Sequence, residues 1–344
     1  MLVEFDSEQR LWHDTVRDVL GKQCPPALIR EIAEADRGGG VGVCIDTAAD
    51  SDALWRSYIQ QGWTELTDPA DMVELAIVLE ELGRATDPTP YLATMTHFAP
   101  LAPQFAQLGL SGAAIHNGVT AYREAGGWAL SGTARHVLDG DRAEQFAILT
   151  EAGVFVVPAA EVTARREVVF DPVLHVGEVS LAGVRVREEN YVRVDAERAR
   201  HIALTGMALT MVGACRRVLD LVLEHVRSRQ QFGVPIGSFQ AVKHKAADMH
   251  IAIERARALA YFAALTIRED DPRRRLAASM AKAAAGECQS LVFRHGMQLS
   301  GAMAFTWEND LQFALKRAKS GELLLGGAAQ HRALIAEEYR AAEF

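Results

Sequence analysis

At 344 residues, 49% hydrophobic and 24% charged, the chain has an ordinary globular composition and length enough for two or three domains. A formal net charge of −9 leaves no basic surplus for nucleic acid, and the arginines are interleaved with acids, as Arg255 and Arg257 are with Glu254. Cys24, Cys44, Cys215 and Cys288 form no CxxC pair and stand at no zinc-ligand spacing from a histidine, so no metal site is expected and reduced thiols in a cytoplasmic protein are.

Residues 1–111 read as a helical domain. The opening MLVEFDSEQRLWHD is charged within its first six residues, unlike a signal peptide. Asp6 or Ser7 caps a helix with Leu11, Val16, Val19 and Leu20 on one face, broken by Pro25 and Pro26. Asp36–Asp50 reads as a loop. Its run from Gly38 to Gly42 lacks the GK[ST] ending and the strand–helix context of a phosphate loop. A helix follows from Ser51 or Asp52 through Leu54, Trp55 and Ile59, stopped by Gly62. Asp71–Leu82 is strongly amphipathic, with Gly83 expected as its C-cap, and Pro88 and Pro90 then turn the chain.

Residues 112–195 read as a small antiparallel β domain. Ala113–Ala121, Trp128–Ser131, Gln145–Thr150, Val154–Pro158, Glu167–Phe170 and Glu178–Val186 are short and rich in β-branched or aromatic residues. Gly126-Gly127 and Asp139-Gly140-Asp141 punctuate them. Residues 196–344 are helical again, in long segments near Ala196–Arg227, Ser238–Arg268, Pro272–Ser300, Asn309–Ser320 and Gly326–Ala342, which should pack as a bundle. The apolar stretch Ile202–Cys215 is too short and broken to span a bilayer, so no membrane partner is expected and a core helix is.

Local motifs sharpen this picture. Arg229-Gln-Gln-Phe232-Gly233-Val-Pro235-Ile236 is followed by Phe239-Gln240 and His244-Lys-Ala-Ala-Asp248-Met249. Upstream lie Phe5 with Glu8-Gln9, Leu54-Trp55, Gly62-Trp63, Glu80-Glu81-Leu82-Gly83-Arg84 and Gly127-Trp-Ala-Leu-Ser131-Gly132. In this order, and over nearly the whole chain, these resemble the signposts of the acyl-CoA dehydrogenase family. The resemblance implies a mainly α fold with a helical N-domain, a central β domain and a C-terminal four-helix bundle. It also implies FAD, which accepts a hydride from the β-carbon of an acyl-CoA thioester while a glutamate removes the α-proton.

Against that pattern the chain departs in three ways. The segment Phe305-Thr-Trp-Glu308 through Leu325-Gly326-Gly327 aligns with the family stretch that ends in the catalytic glutamate, and that glutamate falls on Leu325. The alternative base position, on the helix before the RxxFG motif, falls on Ala203. The TEPxxGSD flavin loop is absent, and where the family keeps W-(I/V)-(T/S) this chain has His136-Val137-Leu138, so Leu138 replaces the hydroxyl expected to bond the flavin. By contrast, the residues that in the family touch a neighbouring subunit's FAD are kept: Arg229, Gln231, Phe232, Ile236, Phe239, Gln298 and Gly301. The resemblance therefore implies a non-catalytic subunit of a heteromeric dehydrogenase with a shared FAD. Its homologous partner would carry the catalytic glutamate and the acyl-CoA, a steroid side-chain CoA by analogy with actinobacterial complexes.

Two rivals stand beside this reading. One is an active homomeric dehydrogenase with a relocated base, for which Glu322, three residues before Leu325, is the best candidate, although it reads as a solvated charge. The other is a flavin-free scaffold or acyl-CoA-binding protein. Individual residues have plainer readings too: Phe232 and Phe239 as core, Arg229 in an ion pair with Glu224, Gln298 bonded to backbone, and His136 as a surface histidine.

Overall fold

The computed structural model describes residues 4–38, 48–106, 109–124 and 126–341; most of the glycine run from Gly38 to Gly42, and Cys44, lie outside the described residues. The chain forms two compact units, one from Met1–Glu31, Met72–Asp87 and Leu204–Phe344, the other from Ile32–Asp71 and Pro88–Ala203. This grouping cuts across the three sequence segments, because early helices pack with late ones.

The first unit is helical. Helix α1 (Ser7–Gln23) opens with a capping box, in which Asp6 accepts from the Gln9 amide at 2.9 Å and the Gln9 side chain accepts from Asp6 in return. Val16 and Leu20 are buried, whereas Leu11, expected on the same face, is 69% exposed. Pro26 begins α2 (Pro26–Gly38), as a proline in a first turn can. The expected loop narrows from both sides, since α3 (Ala48–Gln60) already starts at Ala48.

Helix α4 (Met72–Ala85) is buried along nearly its whole length. Its two buried acids are both paired: Glu80 accepts from Arg257 Nε at 2.9 Å and from the Tyr261 hydroxyl at 2.7 Å, and Glu81 binds His13 and Arg17. Gly83 is not a C-cap. The helix runs on through it, and Thr86 takes the left-handed turn instead (φ 59). Gly83 serves a helix crossing: a Cβ there would lie 2.1 Å from the Thr210 carbonyl, and one on Gly213 would lie 1.8 Å from that of Glu80.

Thr210 and Gly213 belong to α7 (Ala196–Ser228), which is followed by α8 (Gln240–Arg268), α9 (Arg274–Ser300), α10 (Leu311–Leu323) and α11 (Ala328–Ala341). At 33 residues α7 exceeds the apolar stretch expected from sequence and is long and apolar enough to cross a membrane, but 89% of its most apolar window is buried inside the protein. It is a core helix by burial, not by shortness.

The second unit carries, besides α3 and two short helices, α5 (Tyr91–Ala93) and α6 (Pro103–Ala106), a pair of four-stranded sheets. One runs β1 (Gly112–Ile115), β4 (Gln145–Thr150), β5 (Gly153–Pro158), β8 (Tyr191–Val192), with β1 and β4 parallel. The other is antiparallel throughout: β2 (Val119–Glu124), β3 (Gly127–Leu138), β7 (Val176–Val186), β6 (Thr163–Arg166). Leu130, Phe146, Phe155 and Val179 are fully buried in one cluster drawn from both sheets.

Two expected strands differ. Ala113–Ala121 divides into β1 and β2, in different sheets, because Asn117-Gly118 turns the chain and Gly118 holds φ +85 against the Thr133 carbonyl. Glu167–Phe170 forms no strand: Val168 is 95% exposed, and the Glu167 carboxylate accepts from Arg135 and from the His136 amide at a bulge in β3.

Candidate functional site

The RxxFG motif forms a two-residue hairpin where α7 ends. Strands β9 (Gln230–Gln231) and β10 (Val234–Pro235) pair through Gln231↔Val234 and Gln230↔Pro235. The Ile236 amide donates to the Arg229 carbonyl at 2.8 Å, so Ile236, half-buried, closes the loop. Both turn residues are left-handed, Phe232 at φ 55 and Gly233 at φ 80. Glycine adopts this freely, whereas phenylalanine there costs about 1–2 kcal/mol.

The strained Phe232 gains no burial in return, since it is 91% exposed. Phe239, 39% exposed, stands edge-on to it at 6.1 Å and 85°. Neither phenylalanine is a core residue. Arg229 and Gln231 are also exposed. The Arg229 guanidinium makes no hydrogen bond or ion pair among the described residues, so the pairing with Glu224 is not formed. An uncommitted guanidinium beside two exposed rings suits a phosphate ester attached to a flat aromatic body.

Gln298 and Gly301 come from a different element but the same end of the bundle. Near the start of α8, Lys245 Nζ donates to Gln298 Oε1 near the end of α9, at 2.6 Å. The hairpin leads directly into α8, so it stands at that end too. Gln298 is exposed and bonded to a lysine rather than to backbone. Gly301 caps α9 at φ +62, and a Cβ there would meet nothing within 4 Å, so backbone conformation and not close approach calls for glycine.

Of the two positions at which the resemblance leads one to expect a base, Ala203 is 1% exposed within α7 and Leu325 is half-buried just past α10. Neither side chain has an atom that accepts a proton. Leu325 is left-handed (φ 58), and three side chains clamp the turn that carries it. Lys282, fully buried, donates to the Gly326 carbonyl at 2.7 Å, and His331 donates to that of Leu325 at 2.9 Å. Glu322 accepts from the Ala328 amide at 2.9 Å, capping α11. Glu322 is thus not a solvated charge but a half-buried cap, packed so closely on Gly286 that a Cβ there would lie 2.1 Å from its Oε2.

Burial pulls the Lys282 ammonium down to about 8, with Glu322 opposing the shift. Sequence reasoning passed over Lys282, although a lone lysine in the run Ala-Ala-Ser-Met-Ala-Lys-Ala-Ala-Ala-Gly was the available signal. Leu138, where the resemblance leads one to expect a flavin-bonding hydroxyl, is 5% exposed at the end of β3. His136 is an exposed bulge residue at φ 58, as a surface histidine would be.

Comparison with known proteins bears on the family and the fold. The family described as "Acyl-CoA dehydrogenase, C-terminal domain" matches residues 199–339. Acyl-CoA dehydrogenase IpdE2 of Mycobacterium tuberculosis is 30% identical over 329 residues, which cover 92% of this chain and 93% of that protein. Among solved structures, the ChsE4-ChsE5 complex from Mycobacterium tuberculosis matches with a TM-score of 0.86 at 23% identity, covering 99% of both chains. The Tcur3481-Tcur3483 steroid ACAD matches at 0.83 and 22% identity, covering 98% of both. These structural likenesses establish the fold, and with the full-length relative they show that the chain belongs to the acyl-CoA dehydrogenase family.

Proposed function

We propose that this chain is a subunit of a heteromeric FAD-dependent acyl-CoA dehydrogenase and completes the FAD site of a homologous partner that carries the catalytic glutamate. The single observation that carries the reading is the hairpin. It spends conformational energy to hold Phe232 91% exposed, beside an Arg229 with no carboxylate partner among the described residues. A surface strained in this way is suited to a ligand from outside the chain.

FAD, when bound, supplies the hydride acceptor for desaturation of the thioester. In this reading Arg229 would take the pyrophosphate through charge-assisted bonds, and Gln231, Phe232, Ile236, Phe239, Gln298 and Gly301 would hold the rest of the adenosine diphosphate end. The chain's own residues fit a flavin ring poorly: Leu138 offers buried aliphatic surface, and Leu325 and Ala203 offer no base. The acyl-CoA then binds in the partner's site. The likeness to the ChsE4-ChsE5 complex and to the Tcur3481-Tcur3483 steroid ACAD supports a two-component assembly, and the latter supports a steroid-derived acyl-CoA as substrate.

The test is FAD retention by the assembled complex. Arg229→Ala should remove an interaction worth about 1.5–3 kcal/mol, a loss of about 10- to 100-fold in FAD affinity, with assembly intact by size-exclusion chromatography. Arg229→Lys should recover only part, because an ammonium lacks the planar fork. A complex that assembles and keeps its flavin as tightly as wild type would sink the proposal and leave the chain a scaffold.

A further inference from the structure

A second feature of the helical unit is independent of the hairpin and of FAD. Between α1, the start of α2, the end of α4, α7 and the start of α10 lies a half-open cavity of about 150 Å³. A cavity of that size lined by apolar side chains accommodates a benzene ring. Its apolar lining comes from Leu20, Ile29, Ala85, Phe313 and Ala314.

The lining also carries charged side chains, and these nearly cancel. Arg17 donates to Glu81 at 3.2 Å, Arg84 to Asp220 at 2.8 Å, and Asp310 is bound by Arg30. The remaining cation, Arg217, is half-buried on α7 and has no carboxylate or hydrogen-bond partner among the described residues. Burial raises the Cys24 thiol well above its ordinary value, so the cavity wall supplies no anion of its own there. A guanidinium left over in a partly desolvated pocket attracts an anion more strongly than one in water does.

We propose that this cavity is a binding site for a small organic monocarboxylate, its carboxylate on Arg217 and its apolar body against Leu20, Ile29 and Phe313. Neither half suffices for another class of ligand. Inorganic phosphate leaves the apolar wall in contact with water, and a neutral aromatic leaves Arg217 unpaired.

Calorimetric titration of the full chain, or of its assembled complex, with benzoate at constant ionic strength tests the site. Benzyl alcohol supplies the apolar body without charge, and inorganic phosphate supplies charge without the body. Benzoate should bind saturably at one site per chain, at least about tenfold tighter than either comparator. Arg217→Gln should weaken benzoate by about tenfold or more and leave benzyl alcohol unchanged. Gly21→Leu provides a variant that does not disturb the arginine: Gly21 lines the cavity, and a Cβ on it meets nothing within 4 Å. It should obstruct both aromatic ligands. Benzyl alcohol binding as tightly as benzoate, phosphate binding more tightly, or benzoate binding unchanged in either variant would each overturn the proposal.

Discussion

On the proposed reading, Leu325→Glu would put a carboxylate at the position of the family's base. In the proposed complex with the partner it should leave turnover per complex unchanged, because a base without a hydride acceptor beside it does no chemistry. A doubling of steady-state turnover would show that this chain holds a flavin of its own. A second residue gives the fold a pH dependence. Burial, with the neighbouring His116, lowers the His97 imidazole to about 3 from 6.5 in an unfolded chain. Folded and unfolded states bind equal numbers of protons above 6.5, so the full stability is present there. It is lost as pH falls from 6.5 toward 3, where only the unfolded state takes up the proton, by up to about 1.4 kcal/mol per pH unit for this one group. Urea denaturation at pH 7.5 and pH 5 should show His97→Leu losing less stability than wild type between the two. The chemical identity of such residues was legible in the sequence, and their surroundings were not. Glu322 read as a solvated charge because nothing in a linear string reveals that Gly286 opens a space for it and that the α11 amide waits at the other end. Lys282 was missed because burial, which lowers its proton affinity, is a property of the fold.

The helix crossing of α4 and α7 shows which elements sequence could define. An exposed Gly→Ala change inside a helix stabilises it by about 1 kcal/mol. Gly213→Ala should do the opposite, because its Cβ would sit 1.8 Å from the Glu80 carbonyl and the helices must separate. We expect a net loss of about 1–3 kcal/mol, the usual cost of overpacking, read as a lower denaturation midpoint with an unchanged m-value. Gly83 was read as a stop signal because local rules see only its own chain, whereas its missing Cβ answers to Thr210, far along the sequence. Long periodic elements were recovered to within a few residues at their ends, as with Ser238–Arg268, which is α8 from Gln240. Short strands fared worse. Ala113–Ala121 has a uniform β texture, and only the Asn117-Gly118 pair marks its division between two sheets. Within the candidate site, the motif disclosed the hairpin residues, but that Phe232 faces solvent emerged only from the turn geometry.

For the molecule as a whole, the proposed division of labour predicts that the chain purified alone carries no stoichiometric FAD. A flavin absorbance band near one FAD per chain would contradict it, and the band should appear once the partner is co-expressed. The interleaving of the helical unit bears on how the protein is made. Arg257, which holds the buried Glu80, lies 177 residues after it. At about 5–20 residues per second a ribosome needs roughly 10–35 s to deliver Arg257 after Glu80 has been synthesised. For most of that interval α4 lacks α7 to cross, and for all of it the Arg257 of α8 to neutralise Glu80, so the apolar surface those helices will cover stays open to other nascent chains. Yield in a heterologous host should therefore respond to co-translational chaperones, which shield this one segment until the second half of the protein arrives.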